Sequence, residues 1–157
     1  MDQNSFFEDN LGFIIGKVHR QLRKEWQCRL SELNITTAQA AILSLVNESP
    51  HISQRDASRA LEIDVMAVRR VLQDLVDKEF LEMKLNPSDS RKFSYAVTVK
   101  GKSLAENINK LAKDQNHRLA AILGPGAYKQ IGLCLAKILE QPDLKTASGL
   151  RAKSANS

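Results

Sequence analysis

The feature that most constrains this chain is a change of period in its middle. From residue 6 to about residue 79, and again from about residue 98, apolar residues recur every three or four positions, the spacing of helices with one buried face. Between these stretches, Phe80-Leu81-Glu82-Met83-Lys84-Leu85 and Phe93-Ser94-Tyr95-Ala96-Val97-Thr98-Val99 alternate in steps of two, as short strands do. Asn86-Pro87-Ser88-Asp89-Ser90-Arg91-Lys92 joins them and is rich in turn formers. The expectation is a single β-hairpin with a basic tip, set into an otherwise helical chain.

The helices can be placed from their apolar faces and caps. Phe6, Phe7, Leu11, Ile14, Ile15, Val18, Leu22, Trp26 and Leu30 mark one face of a helix over 6–33, about 40 Å long. Its other face carries Lys17, Arg20, Arg23, Lys24 and Arg29. Thr36-Thr37-Ala38-Gln39 is a capping box opening a second helix, buried through Ala38, Ala41, Ile42, Leu45 and Val46. Ser53-Gln54-Arg55-Asp56 is a second box, starting a short helix with Ala57, Ala60 and Leu61 inward. Asp64 caps a helix running to about Glu79, with Val65, Val68, Leu72, Leu75 and Val76 inward. Its outward face presents Ala67, Arg69, Arg70, Gln73, Asp74 and Asp77. Thr98 can cap a long helix with Leu104, Ile108, Leu111, Leu119 and Ile122 on one face. Gly124-Pro125-Gly126 breaks that helix before a last one marked by Tyr128, Ile131, Leu135, Ile138 and Leu139.

This order gives the expected fold class: mainly α with a small β-hairpin wing, a winged helix-turn-helix flanked by long helices. One domain is expected over 1–141, with 35–100 as the winged part, followed by a mobile basic tail over 142–157. The first helix and the last two have more apolar face than so small a middle can bury, and pairing with a second copy is the simplest remedy.

Charge narrows the partners. The formal net charge is +5, which favours an anionic partner. The excess is uneven: residues 101–157 carry nine basic and four acidic side chains, whereas 53–100 carry nine and eight. A nucleic-acid site in the middle third must therefore come from charges sorted onto one face. No apolar run approaches the roughly 18 residues of a membrane span, and the acidic start is the reverse of a signal peptide, so a cytoplasmic protein is expected. Cys28 and Cys134 make no disulfide framework or zinc constellation, and both read as packing residues. His19, His51 and His117 have no ligand or catalytic partner at useful spacing, so no cofactor, metal or catalytic residue is expected.

Several segments in order resemble the MarR (multiple antibiotic resistance regulator) family. Leu61 to Leu75, continuing through Lys78-Glu79-Phe80-Leu81, looks like its recognition-helix region; Asn86-Pro87-Ser88-Asp89-Ser90-Arg91 like its Asp-x-Arg wing; and Val97-Thr98-Val99-Lys100-Gly101 like its Leu-Thr-x-x-Gly helix start. Leu33 to Gln39 and Ile52 to Arg55 resemble the starts of its second and third helices. The likeness spans roughly residues 10–140. Two glutamates, Glu62 and Glu79, stand where the family usually has glycine. Glu79 forgoes the easy left-handed helix end, which predicts an irregular junction there. Met66 and Ala67 replace the usual Ser or Thr and remove hydroxyls that would bond phosphates or bases.

The resemblance implies a homodimeric transcriptional regulator, more often a repressor, that binds an inverted repeat in double-stranded DNA, with 6–33 and 100–141 as dimerisation helices. The residues suit that chemistry. Of Arg69 and Arg70, either can bond a base edge in the major groove while the other holds a phosphate; Gln73 can bond a base edge, and Ala67 can touch a thymine methyl. Ser53, Gln54 and Arg55, at a helix start, suit a phosphate. Arg91 would enter the minor groove, Lys92 and Lys84 would meet the backbone, and Asp89 would brace the wing. In the family many members are released from DNA by small aromatic or anionic ligands; here Phe13, His19 and Trp26 would line such a site, and plain core packing is the competing account of them. The contrasting reading is a winged-helix protein-interaction module with little DNA affinity, suggested by Met66 and Ala67. A small enzyme would need a convergent polar pocket that no spacing here supplies.

Overall fold

The computed structural model describes residues 10–86 and 89–141, with side chains described except over 86–92. The expected tail, Phe6 and Phe7, and the turn residues Pro87 and Ser88 lie outside the described residues. Helix α1 (Leu11–Ser31) begins at Asn10, an extended residue whose side chain accepts the Phe13 amide at 2.9 Å. The helix expected from residue 6 therefore starts later, because a short polar side chain at Asn10 satisfies a first-turn amide and forms a cap. At ~1.5 Å per residue its length is about 31 Å rather than about 40 Å.

Helix α2 (Thr37–Glu48) opens with the expected capping box. The Thr36 amide donates to Gln39 Oε1 at 2.6 Å, and the Gln39 amide to Thr36 Oγ1 at 3.2 Å. Ala40 and Leu43 are buried beside Ile42 and Val46, a wider buried face than the expected stripe. The reason is position: α2 packs against α1, α3 (Gln54–Leu61), α4 (Val65–Asp77) and a strand of the hairpin, so almost every side has a neighbour. The second expected box is half formed. The Ser53 hydroxyl accepts the Asp56 amide at 3.1 Å, but Asp56 turns its carboxylate to that same hydroxyl, at 2.6 Å, and to Arg59 at 3.0 Å. Aspartate is one methylene shorter than the Glu or Gln of a complete box.

α1, α3 and α4 end alike. Asn34, Glu62 and Glu79 each take a left-handed conformation, with φ of 55°, 52° and 63°. The next amide then reaches back five residues: Ile35 to Leu30 at 3.3 Å, Ile63 to Ser58 at 3.1 Å and Phe80 to Leu75 at 2.9 Å. This is the Schellman arrangement. The junction at Glu79, expected to be irregular, is therefore regular. Glutamate adopts the glycine conformation at a cost of about 1–2 kcal/mol, held there by the backbone bonds and by what packs on it.

Strand β1 (Leu81–Asn86) pairs antiparallel with β2 (Asp89–Val97). Leu81 lies opposite Val97, and the register runs unbroken to Leu85 opposite Phe93; the next pair is Asn86 with Asp89. Residues 90–92 thus fall between two consecutive register positions. The ladder also extends beyond the expected strands: Asp89 to Lys92 belong to β2 rather than to a turn, and Val99, expected in a strand, is the first residue of α5 (Val99–Leu123). Helix α6 (Pro125–Leu139) follows Gly124, whose φ is 79°.

The chain divides into two compact units, one ending at Leu111 and the other beginning at Ala112. The first contains the core, in which Leu30, Ile42, Leu43, Leu72, Leu75 and Leu81 are almost wholly enclosed. In the second, no residue of α6 is buried. Several sequence assignments change at this level. Val65, expected inward, is exposed, and so are both Cys28 and Cys134, expected as packing residues. Arg29, placed on the solvent face, is half buried and donates to the Leu111 carbonyl at 3.1 Å. Periodicity assigns a face but not what stands opposite it. No single helix among the described residues is long and apolar enough to cross a membrane.

Candidate nucleic-acid interface

The outward face of α4 is the centre of the candidate site. Asp64 holds its start by accepting the Met66 amide at 2.9 Å and the Ala67 amide at 3.1 Å, as its N-cap position predicts. Val68, Leu72 and Leu75 are buried on the opposite side, and this fixes which side faces out. Arg69, Arg70 and Gln73 are exposed together, Ala67 is half buried, and Met66 is 54% exposed. Among the described residues, no hydrogen bond or ion pair engages Arg69 or Arg70. Gln73 donates to Asp77 Oδ1 at 2.8 Å, one turn further on, so its amide is already oriented along the helix.

Asp74, read as part of the same outward face, is half buried instead. It accepts a hydrogen bond from Gln39 Nε2 and another from Lys78 Nζ at 3.1 Å. Gln39 thus serves twice, closing the capping box of α2 with its oxygen and tethering α4 with its nitrogen. The bond from Lys78 is the main reason the Asp74 carboxyl titrates below its ordinary value of 3.8; partial desolvation opposes it, and the Gln39 bond and the Lys78 charge reinforce it.

At the start of α3, Ser53, Gln54 and Arg55 have separate fates. The Ser53 hydroxyl is engaged in both directions by Asp56. Gln54 Nε2 donates to the Tyr95 hydroxyl at 2.8 Å, tying α3 to the hairpin. Only Arg55 of the three extends freely into solvent. His51, with φ of 69°, donates its amide to the Tyr95 carbonyl at 3.2 Å and sets Nδ1 3.3 Å from the buried Ser94 hydroxyl. Of the wing residues, Lys84 is paired with Glu82 at 2.6 Å. Arg91, Lys92 and Asp89 lie on β2, and their side chains fall outside the described set.

The far end of α4 is fastened to the base of the hairpin and to α5, which the sequence reading did not identify. The Thr98 hydroxyl donates to the Glu79 carbonyl at 2.7 Å and accepts the Gly101 amide at 3.0 Å. Lys100 Nζ donates to the Lys78 carbonyl at 2.9 Å, lies 3.4 Å from the Glu79 carboxylate and sits 4.9 Å from the Phe80 ring centre. A Cβ on Gly101 would stand 1.9 Å from the Phe80 carbonyl oxygen, so only glycine fits. The resembling Val-Thr-Val-Lys-Gly run was the available signal. No group of three or more His, Cys, Asp or Glu able to hold a metal occurs among the described residues.

Comparison with known proteins agrees with this architecture. Residues 33–92 match the sequence model of the MarR family. The HTH-type transcriptional repressor Rv2887 of Mycobacterium tuberculosis is 24% identical over 128 residues, covering 82% of this chain and 92% of that protein. The multiple antibiotic resistance protein MarR of Escherichia coli is 29% identical over 108 residues, 69% of this chain and 75% of that one. Its wild-type apo crystal structure superposes with a TM-score of 0.70 at 27% identity, covering 83% of this chain and 96% of that chain. The fold is shared with Bordetella bronchiseptica BpsR, whose DNA binding is regulated by 6-hydroxynicotinic acid; there the TM-score is 0.75 at 23% identity, covering 86% of this chain and 96% of that chain.

Proposed function

We propose that the chain is a member of the MarR family and a DNA-binding transcriptional regulator, a repressor that acts in the cytoplasm as a homodimer on an inverted-repeat operator. The observation that carries this reading is the pair Arg69 and Arg70, exposed and unengaged among the described residues, on the outward face of a helix whose opposite side is locked into the core. In a major groove such a pair can divide the work, one guanidinium bonding guanine O6 and N7 and the other a phosphate. Gln73 would read a further base, and Ala67 and Met66 would touch thymine methyls. Arg55 and the amides at the start of α3 would hold a phosphate, with Ser53 and Gln54 fixing that helix rather than meeting DNA. Arg91 would enter the minor groove, Lys92 would contact the backbone and Asp89 would brace the turn. The family consists of regulators rather than enzymes, in keeping with the absence of any catalytic spacing in the sequence.

Dimerisation is supported by exposed apolar residues in each unit taken by itself: Leu11, Ile14, Ile15 and Val18 in the first, Ile131, Leu135, Ile138 and Leu139 in the second. Two recognition helices would then enter successive major grooves ~34 Å apart. Release by a small aromatic acid is supported by a regulator of the same fold.

The test is a gel shift with the DNA upstream of the chain's own coding region. Arg70→Ala and Arg91→Ala are each expected to weaken binding by about tenfold or more while the dimer stays folded. Affinity should fall steeply with salt, because several phosphates are neutralised per dimer. Wild-type affinity in both variants would refute the site, and a flat salt dependence would refute duplex DNA as the partner. A stable protein complex without duplex affinity would favour the interaction-module reading.

A further inference from the structure

Polar contacts from the approach to α3 converge on two consecutive residues of β2. The His51 amide donates to the Tyr95 carbonyl at 3.2 Å, His51 Nδ1 lies 3.3 Å from the Ser94 hydroxyl, and Gln54 Nε2 donates to the Tyr95 hydroxyl at 2.8 Å. Both β2 residues are deep in the fold: Ser94 is 0% and Tyr95 5% exposed. His51 is left-handed, a conformation that a residue with a side chain keeps only where its surroundings hold it.

Packing alone orients α3 weakly. Ala57 is the one buried residue among its eight, whereas α4 buries Val68, Leu72 and Leu75. A single methyl sets how closely a helix approaches its neighbours but not how it is turned. In the first turn Ser53, Asp56 and Arg59 bond one another, which joins α3 to nothing else. Gln54, the first residue of the helix, is the side chain of that turn that reaches another element. A phenylalanine at position 95 would fill the core as well as tyrosine does. The hydroxyl and the Gln54 amide both lose water on burial, so their bond adds little net stability. What it does supply is direction, because donor and acceptor must be aligned. Arg55 follows Gln54 directly and is exposed.

We propose that Gln54 and Tyr95 are positioning residues for DNA binding: their bond turns the start of α3 so that its free amides and Arg55 meet one phosphate. The inference rests on the reading of this chain as a duplex binder and adds to it a buried tyrosine that touches no DNA. Backbone amides cannot follow a displaced phosphate as a long side chain can, so the angle of the helix decides whether they bond it. Amides and guanidinium share that phosphate, and a helix turned away from it loses the hold of both.

The test is fluorescence anisotropy with a labelled duplex of the DNA upstream of the coding region, titrated across a salt series, with thermal melts beside it. Tyr95→Phe is expected to lower the melting temperature by only about 2–4 °C. It should weaken binding about tenfold and reduce the salt slope by about one per subunit, as the loss of a phosphate contact does. Gln54→Leu removes the same bond from the half-exposed side and should reproduce both effects even if the tyrosine variant folds badly. The double variant should be no weaker than either single one. Coupling separates positioning from general loosening. Arg55→Ala should cost about tenfold in the wild type and less than about twofold beside Tyr95→Phe, whereas Arg70→Ala should cost the same factor in either background. Wild-type affinity and slope in Tyr95→Phe and Gln54→Leu overturn the proposal. So does an Arg55→Ala cost that is unchanged beside Tyr95→Phe, or a parallel loss of the Arg70 contribution, which would mean that the whole fold has loosened. A wild-type chain that binds no duplex defeats the DNA reading and this inference together. A chain that binds, weakens with Arg70→Ala and ignores both Tyr95→Phe and Gln54→Leu defeats this inference alone.

Discussion

At its start, α4 is held by one side chain of its own neighbourhood, the Asp64 carboxylate, and its outward arginines make no hydrogen bond or ion pair among the described residues. At its end it is held by groups from a distant stretch of chain: the Thr98 hydroxyl, the Lys100 ammonium and the close approach of Gly101 to Phe80. The first plan leaves side chains able to meet a ligand. The second fixes where the helix and the hairpin sit relative to each other. A surface that must fit a groove needs both, because freedom at the reading residues is useful only if the element carrying them does not move.

The contrast can be broken at either end. The largest effect is expected at the fastened end: Gly101→Ala puts a methyl into the Phe80 carbonyl and should cost about 3 kcal/mol or more in urea unfolding. Ordinary stability in that variant would mean that α5 can slide away from α4 without penalty. At the other end, Asp64→Ala removes one cap and should cost about 1 kcal/mol by the same measurement. Glu79→Gly should go the opposite way. It relieves a left-handed glutamate at the expense of an exposed ion pair with Lys100 and of added freedom in the unfolded chain, leaving a gain of about 0.5 kcal/mol. A net loss would mean that the Glu79–Lys100 pair matters more than its exposure suggests.

The smallest effect concerns Asp74, midway along. Its folded-state carboxyl titrates below its ordinary value, so its contribution is complete above about pH 4 and disappears as pH falls through the lowered folded value. Asp74→Asn should flatten that part of the acid limb in a pH series of unfolding curves. An unchanged limb would remove Asp74 as a tether.

The helices, the caps at Thr36 and Asp64 and the hairpin were legible in the sequence because each is a local pattern. Thr36 and Gln39 are three residues apart and meet on any helix start, and Asp64 needs only the two amides that follow it. The tethers were not legible, because their partners are remote. Gln54 bonds Tyr95, 41 positions away, and Gln39 bonds Asp74, 35 away. Nothing in either neighbourhood marks those side chains as already engaged, so Ser53 and Gln54 read as phosphate ligands and Asp74 as solvated. The left-handed glutamates were hidden differently. Sequence preference argues against Glu at such positions, yet the Schellman bonds at Glu62 and Glu79 override that preference.

The break in the hairpin register has a consequence for how such a chain can diverge. A single-residue slip would turn every side chain of a strand to the opposite face. Here the mismatch of residues 90–92 is confined between Phe93 and Asp89, while Leu81 to Leu85 stay aligned with Val97 to Phe93. The tip can therefore gain, lose or exchange residues without transmitting a shift to Tyr95 or Leu81. Descendants of this sequence could vary the tip of the wing while inheriting an unaltered core.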